Sequence, residues 1–217
     1  MKAADPKTES LRERCVREAL AIIEESGVEG LSLREVARRL NVSHQAPYKH
    51  FADRDHILAE IVDRTFAAFA RHLDARPKRD NPHDDLAEMG RAYLEYARKH
   101  PLQYRLMFGT PLPDPHSHPA MMRSAQHAFS LLRECLRRIR QAEGWPEDPD
   151  GTVKDALFVW ATMHGLSGIM QASALQTLEL SPALLTDTVP HLLRRVGMAL
   201  TASAPNPATP IRRKTHG

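Results

Sequence analysis

With 217 residues and 42% hydrophobic side chains, the chain can bury a core and has the composition of an ordinary globular protein. Thirty Lys and Arg against twenty-seven Asp and Glu leave a formal charge of +3, too mild an excess to announce nucleic acid by itself. The only two cysteines, Cys15 and Cys135, are far apart; this excludes a disulfide framework and a zinc-ligand spacing and fits reduced thiols in a cytoplasm.

The opening "MKAADPKTES" has no apolar run of the signal-peptide kind, and residues 1–9 are expected to be disordered. "LRERCVREALAIIEESG" then places Leu11, Cys15, Val16, Ala19, Leu20 and Ile23 on one helical stripe, with Gly27 as its stop. "LSLREVARRLNVS" opens with Ser32 as a cap and Glu35 three residues on, the pattern of a capping box. A second short helix is expected to follow over "SHQAPYKHF", capped by Ser43. "ADRDHILAEIVDRTFAAFARHLDA" carries Ile57, Leu58, Ile61, Val62, Thr65, Phe66 and Phe69 at helical spacing, and residues 76–82, "RPKRDNP", break it.

The next helix, "HDDLAEMGRAYLEYARKH", is closed by Pro101. A short one, "PLQYRLMFG", leads into the loop "TPLPDPHSHP" and then "AMMRSAQHAFSLLRECLRRIRQAEG". Residues 156–178 carry no Asp, Glu, Lys or Arg, about the length that spans a bilayer. Thr162, His164, Ser167, Gln171, Ser173, Gln176 and Thr177 would be penalised in hydrocarbon, so a helix over 153–178 buried within protein is the reading, with no membrane as partner. "SPALLTDTVPHLLRRVGMALTA" is a last helix that Pro190 should kink or split. Residues 203–217 are proline-rich and basic and are expected to be disordered. With no alternating pattern anywhere, the chain is all-α.

Two short helices joined by "NVS" have the spacing of a helix-turn-helix, in which the N-terminal residues of the second helix reach base edges in the major groove. Pro47 in its first turn removes at most an early hydrogen bond, where donors lack partners anyway. Gln45 suits bidentate pairing with adenine and His44 suits a base edge. Lys49 and the Tyr48 hydroxyl suit phosphate oxygens. Arg54 stands at the start of the following helix, whose amides also attract phosphate. Charge adds nothing: residues 1–60 hold ten basic and eleven acidic side chains. A merely solvated surface helix reads the same by periodicity.

The order of residues is more specific. "LSLREVARRLNVSHQAPYKHFADRDHILAEI" resembles the DNA-binding signature of TetR-family transcriptional regulators, through Ala37, Asn41, Val42, Ser43, Tyr48, His50, Phe51, Arg54 and Leu58. Pro47 takes a place where the family often has Leu. The resemblance covers roughly fifty residues. It implies an N-terminal three-helix head (residues 10–56, helix-turn-helix at 32–51) on a larger helical ligand-binding and dimerisation body (residues 57–202). It also implies DNA contacts at Ser32, Ser43, His44, Gln45, Tyr48, Lys49, His50 and Arg54. His50 has a second reading, as a packed and hydrogen-bonded residue.

Beyond residue 60 the resemblance is weaker. In "VWATMHGLSG", Trp160, His164 and Gly165 resemble the Trp, His-Gly signature of one C-terminal subgroup. Trp160, His164 and Gly168 recur every four residues on one face, and Gly165 and Gly168 permit close approach of a neighbouring helix. The resemblance implies that the last two helices pair into a homodimer interface. A largely apolar effector would meet Met107, Phe108, Met121, Met122, Phe129, Trp160, Met163 and His164, although each is equally readable as core. His116 and His118 beside Asp114 form a weak ligand pattern, so no metal and no cofactor is expected.

The leading expectation is therefore a dimeric, ligand-released repressor acting on double-stranded operator DNA. An enzyme lacks support: no phosphate loop follows a strand and no nucleophile elbow is present, so no catalytic residue is named. A third reading is an all-α ligand- or partner-binding protein whose helix-turn-helix binds no DNA.

Overall fold

The computed structural model describes residues 9–202. Of the residues expected to be disordered, 1–8 and 203–217 fall outside the described residues, whereas Glu9 is described and its carboxylate pairs with Arg17. Among those described there are eight α-helices and no strand, as the all-α pattern requires. They are α1 (Leu11–Ser26), α2 (Leu33–Arg39), α3 (Arg54–Asp74), α4 (Pro82–Lys99), α5 (Pro101–Phe108), α6 (Pro119–Ala142), α7 (Pro149–Gln171) and α8 (Pro182–Ala202). Short 3₁₀ turns lie at Val28–Gly30, Pro47–Lys49 and Ser173–Leu178. No helix among the described residues is long and apolar enough to cross a membrane.

The chain forms two compact units: the part up to Asp74 together with Lys99–Phe129, and Ala75–Arg98 together with the part from Ser130 onward. The boundary expected at residue 57 lies inside α3.

In the first unit, α1 buries Cys15, Val16, Ala19, Ile22 and Ile23, and α2 buries Leu33, Val36 and Ala37. α3 turns Ile57, Leu58, Ile61, Val62, Phe66 and Phe69 inward. Each of the Val, Leu, Ile and Phe side chains among them contributes about 1.5–3 kcal/mol on burial. Ser10 caps α1, and Gly27 ends it at φ 73°, a backbone state that glycine adopts freely. Forked arginine pairs fix how the helices meet. Arg12 binds Glu60 at 2.8 and 2.9 Å, Arg64 binds Glu60 and Glu13, and Arg39 on α2 binds Glu25 on α1 at 2.7 Å. Exposed pairs of this kind add little energy but select an orientation.

In the second unit, Asp85 of α4 is fully buried and receives Arg76 Nη2 at 2.8 Å, Arg138 Nη1 at 3.0 Å and the Cys135 thiol at 3.2 Å. Burial alone would raise its pKa. The thiol and the cations outweigh that and hold it below the usual carboxylate range. Gly90 on α4 lies where a Cβ would come within 2.5 Å of Leu193 Cδ2 and 3.3 Å of Met163 Sδ, so α4, α7 and α8 meet tightly there.

One late expectation is corrected, and one of the two alternatives for Pro190 is removed. The uncharged helix stops at Gln171 rather than continuing to 178: Ala172 turns extended, and the 3₁₀ segment ends at Glu179 with φ 49°. Pro190 does not split the last helix, since α8 runs through it from Pro182 to Ala202.

Candidate nucleic-acid interface

The candidate reading segment hangs from the end of α2. Ser32 caps that helix by accepting the Glu35 N–H at 3.1 Å. The reciprocal half of the expected capping box is not made, because the Glu35 carboxylate is taken by Arg38 at 2.7 and 2.8 Å and by Arg39 at 2.9 Å. Those hydrogen bonds, Arg38's foremost, bring the Glu35 pKa down to about 2.

At its other end α2 closes in a Schellman motif. Asn41 takes φ 53°, its N–H reaches Arg38 O at 3.2 Å, and the Val42 N–H reaches Ala37 O at 3.1 Å. The chain is thereby turned sharply into "SHQAPYKHF".

That segment is shorter as a helix than its sequence predicts. A helix capped at Ser43 would send its first α-type bond from residue 47 to the Ser43 carbonyl, and Pro47 has no N–H to give. The Ser43 carbonyl accepts from Ala46 N at 2.9 Å instead, the segment's helical turn is 3₁₀, Pro47–Lys49, and its one α-type bond comes late, from Phe51 N to Pro47 O at 3.0 Å. No side chain caps it, so Ser43 serves through its carbonyl and not as the expected cap. Pro47 and Phe51 are buried and pin the segment from below, with Arg12 stacked 5.4 Å from the Phe51 ring centre.

The pinning turns the polar residues outward. Ser32, Ser43, His44, Gln45, Tyr48, Lys49 and His50 are all exposed. His44, Gln45 and Tyr48 converge with Arg34 around one open hollow of about 470 Å³. His50 is not packed away: its ring is exposed and meets only the edge of Phe51, 6.5 Å between centres. Arg54 is half-buried and partly spent, donating to the Val28 carbonyl at 2.8 Å and to Asp55 at 3.3 Å.

Arg34 did not come from reading the sequence. It is exposed and makes no ion pair among the described residues, whereas Arg38 and Arg39 share Glu35. That difference is the signal that could have found it: Arg34 has no acidic residue three or four positions away on its helix.

The residues expected to meet a ligand fall in both units. In the first, Met107 and Met121 are buried, and Phe108, Met122 and Phe129 are half-buried. Phe108 gathers Tyr104, Phe66 and Phe69 edge to face, with centres 5.1, 5.9 and 6.2 Å away. In the second, Met163 is buried, and Trp160 and His164 stack edge to face at 6.4 Å. The Tyr93 hydroxyl lies 3.3 Å from His164 Nδ1, a partner that sequence reading had missed. Among the described residues no three His, Cys, Asp or Glu side chains come together in a way that could hold a metal ion.

Comparison with known proteins bears directly on this head. Residues 16–61 match the family model for bacterial regulatory proteins of the tetR family, and residues 86–193 match the tetracyclin repressor-like C-terminal domain. HTH-type transcriptional regulator TcmR of Streptomyces glaucescens is 29% identical over 138 residues, which is 64% of this chain and 58% of TcmR. HTH-type transcriptional regulator Rv1816 of Mycobacterium tuberculosis is 32% identical over 96 residues, 43% of this chain and 41% of the relative. The matched chain thus spans little more than half of these regulators, or less. A Rhodococcus sp. RHA1 protein of unknown function shares the fold with a TM-score of 0.69 at 24% identity, covering 94% of this chain and all of that one. A tetR-family regulatory protein from Rhodococcus RHA1 does so at 0.64 and 15% identity, covering 89% and 98%. With both ends of the described chain matching TetR-type models and the turn between α2 and α3 carrying the signature, the chain belongs to the TetR family of transcriptional regulators.

Proposed function

We propose that the protein is a dimeric repressor that binds operator DNA through residues 10–56 and is released by a small molecule bound in residues 57–202. The observation that carries this reading is the outward cluster of Arg34, His44, Gln45 and Tyr48 beside Lys49, on a segment whose N–H groups at Asn41, Val42, Ala46, Lys49, His50 and Phe51 are bonded within the chain. Gln45, His44 and Arg34 are of the kind that reads base edges; Tyr48, Lys49, Ser43 and Ser32 are of the kind that grips phosphate. His50 and the free edge of Arg54 flank them. We assign the protein no catalysis and place it in the cytoplasm.

Dimerisation rests on the outer face of α7 and α8. Leu157, Phe158 and Met198 are 47, 44 and 59% exposed, an apolar face of the sort that soluble proteins cover. Phe158, Thr162, Leu192, Arg195 and Met198 line a shallow groove there. A Cβ added at Gly165 or Gly168 would meet nothing within 4 Å in this chain, leaving room for a partner helix. A second copy is the occupant proposed.

Effector binding is supported by the aromatic group around Phe108 and by the Trp160, His164 and Tyr93 group, which suit an apolar molecule with a hydrogen-bonding function. Release then needs only that the effector bind the state unfit for DNA more tightly than the other. A gel shift with DNA flanking the protein's own gene tests the whole reading. Retarded bands of dimer stoichiometry, weakened as salt rises, are expected; no binding at low salt would leave an all-α ligand- or partner-binding protein.

A further inference from the structure

The loop "DPHSHP", which the repressor reading leaves unused, ends beside the helix that follows the candidate DNA-reading turn. The His118 ring, just before α6, meets the His56 ring in the first turn of α3 edge to face, with centres 5.0 Å apart and planes at 85°. Asp53 caps α3 by accepting the His56 N–H at 2.9 Å, and the same oxygen lies 2.8 Å from His56 Nδ1. Farther along, Ser124 on α6 donates to Asp63 on α3 at 2.5 Å, so the two helices are tied at two points.

We infer that His56 and His118 form a proton-sensitive latch between the start of α6 and the start of α3, and that acid opens it and loosens the head's hold on DNA. The inference rests on the regulator reading for its second half only. Histidine is the side chain whose charge ordinarily changes between pH 5 and 8. One proton on the pair is tolerated, since Asp53 stands against His56 and the edge of a cationic ring suits the face of a neutral one.

A second positive charge on the pair would lie about 5 Å from the first, and like charges at this separation repel even through water. The other charged groups nearby are already engaged. Asp55 faces Arg54, and Asp114 holds the amides of His116 and Ser117 and the Ser117 hydroxyl. No second carboxylate is therefore placed against His118 by these bonds. The helix so gripped begins at Arg54, whose guanidinium holds the Val28 carbonyl inside the head.

The sign is distinctive. Acid in general adds positive charge to a protein surface and so strengthens attraction to phosphate, whereas the latch opposes that trend.

The test compares full-length wild type with His118→Gln and, as an independent variant, His56→Gln. Hydrogen–deuterium exchange of peptides covering residues 52–62 and 110–122 is followed at pH 7.5 and 5.5, corrected for intrinsic rates. Wild type should lose protection by about three- to five-fold more than either variant at pH 5.5, the scale of one such repulsion. Binding to the DNA flanking its own gene should weaken by a similar factor relative to the variants over the same range. Equal exchange responses in all three proteins would overturn the latch. A separation in exchange without one in DNA affinity would overturn its link to the head. A protein that binds no DNA at any pH would instead remove the regulator reading, with exchange still deciding the latch.

Discussion

Val42 gives its N–H to the carbonyl of Ala37 at 3.1 Å, and the residue just before Val42, Asn41, stands at φ 53° to make this possible. Asparagine tolerates the left-handed region better than other side chains, and glycine enters it without strain. Asn41→Gly should therefore leave thermal stability unchanged or raise it slightly. Asn41→Val should cost about 1–2 kcal/mol and weaken DNA binding as well, because the turn aims the residues proposed to meet DNA. Thermal melting of the two variants, with gel shift on the same samples, checks this. A valine variant as stable as the glycine one would mean the turn is not under that constraint.

The sequence announces this turn well, since an Asn before Val-Ser after an amphipathic stretch is a helix stop with a mechanism. It announces its surroundings less evenly. The apolar stripe of α3 maps onto its buried face residue for residue, whereas on α1 Leu11 and Leu20 are only half-buried and the buried Ile22 lies outside the expected stripe. The 3₁₀ turn at Pro47 was harder to see: counting the missing hydrogen bond from Pro47 to the Ser43 carbonyl shows that it is the first α-type bond of the segment. The end of α7 carried no cue, because "ASALQTL" has neither glycine nor proline to mark a stop at Gln171. The polar break "RPKRDNP" concealed a buried arginine, since Arg76 pairs through Nη2 with Asp85 nine residues on and composition cannot show burial.

That pair gives the second prediction. Asp85→Asn would remove the carboxylate charge that Arg76 and Arg138 share, and breaking a buried ion pair from one side typically costs about 3–5 kcal/mol. Because the folded protein holds Asp85 below the ordinary carboxylate range, its contribution is present at neutral pH. It is lost as acid carries the solution below the value of a free aspartate, about pH 4. Wild type should lose stability in that window more steeply than the variant. Parallel denaturant midpoints between pH 5 and 3 would contradict it.

Cys135 supplies a third. Burial first, then its hydrogen bond to Asp85, pushes the thiol up to about 12. At pH 8 only about one thiol in ten thousand would then be thiolate, the reactive form. Native protein should leave Cys135 unmodified by a disulfide reagent over minutes, and denatured protein should react at once. Mass mapping distinguishes it from Cys15, whose pKa burial also raises. Rapid labelling of Cys135 in folded protein would show that the second unit opens readily at this point.

The dimer face yields a fourth. Phe158 is 44% exposed on α7 within the groove that also holds Met198. Phe158→Glu should shift sedimentation towards a monomer mass of 24.4 kDa while leaving the melting of the monomer's own core little changed. DNA affinity should fall with it, since two heads on one dimer occupy two half-sites together. A variant that stays dimeric would place the interface elsewhere.

The last prediction separates the two kinds of interaction in the reading turn. Lys49 is proposed to touch phosphate, so Lys49→Ala should weaken operator and random DNA by similar factors. With one phosphate no longer neutralised, the salt slope should also fall by about one unit. Gln45 and Arg34 are proposed to face base edges from two sides of one hollow. Gln45→Ala should cost roughly 1–3 kcal/mol on the operator, change little on random DNA, and relax preference at one base pair per half-site. Arg34→Ala should do the same at a different base pair, and the two effects should add if the side chains read independently. All three residues are exposed, so normal melting is the control for each variant. Full-strength operator binding by all three variants across a range of salt would mean that this turn does not enter the groove. The outward cluster would then need another partner, because no acidic side chain among the described residues pairs with Arg34.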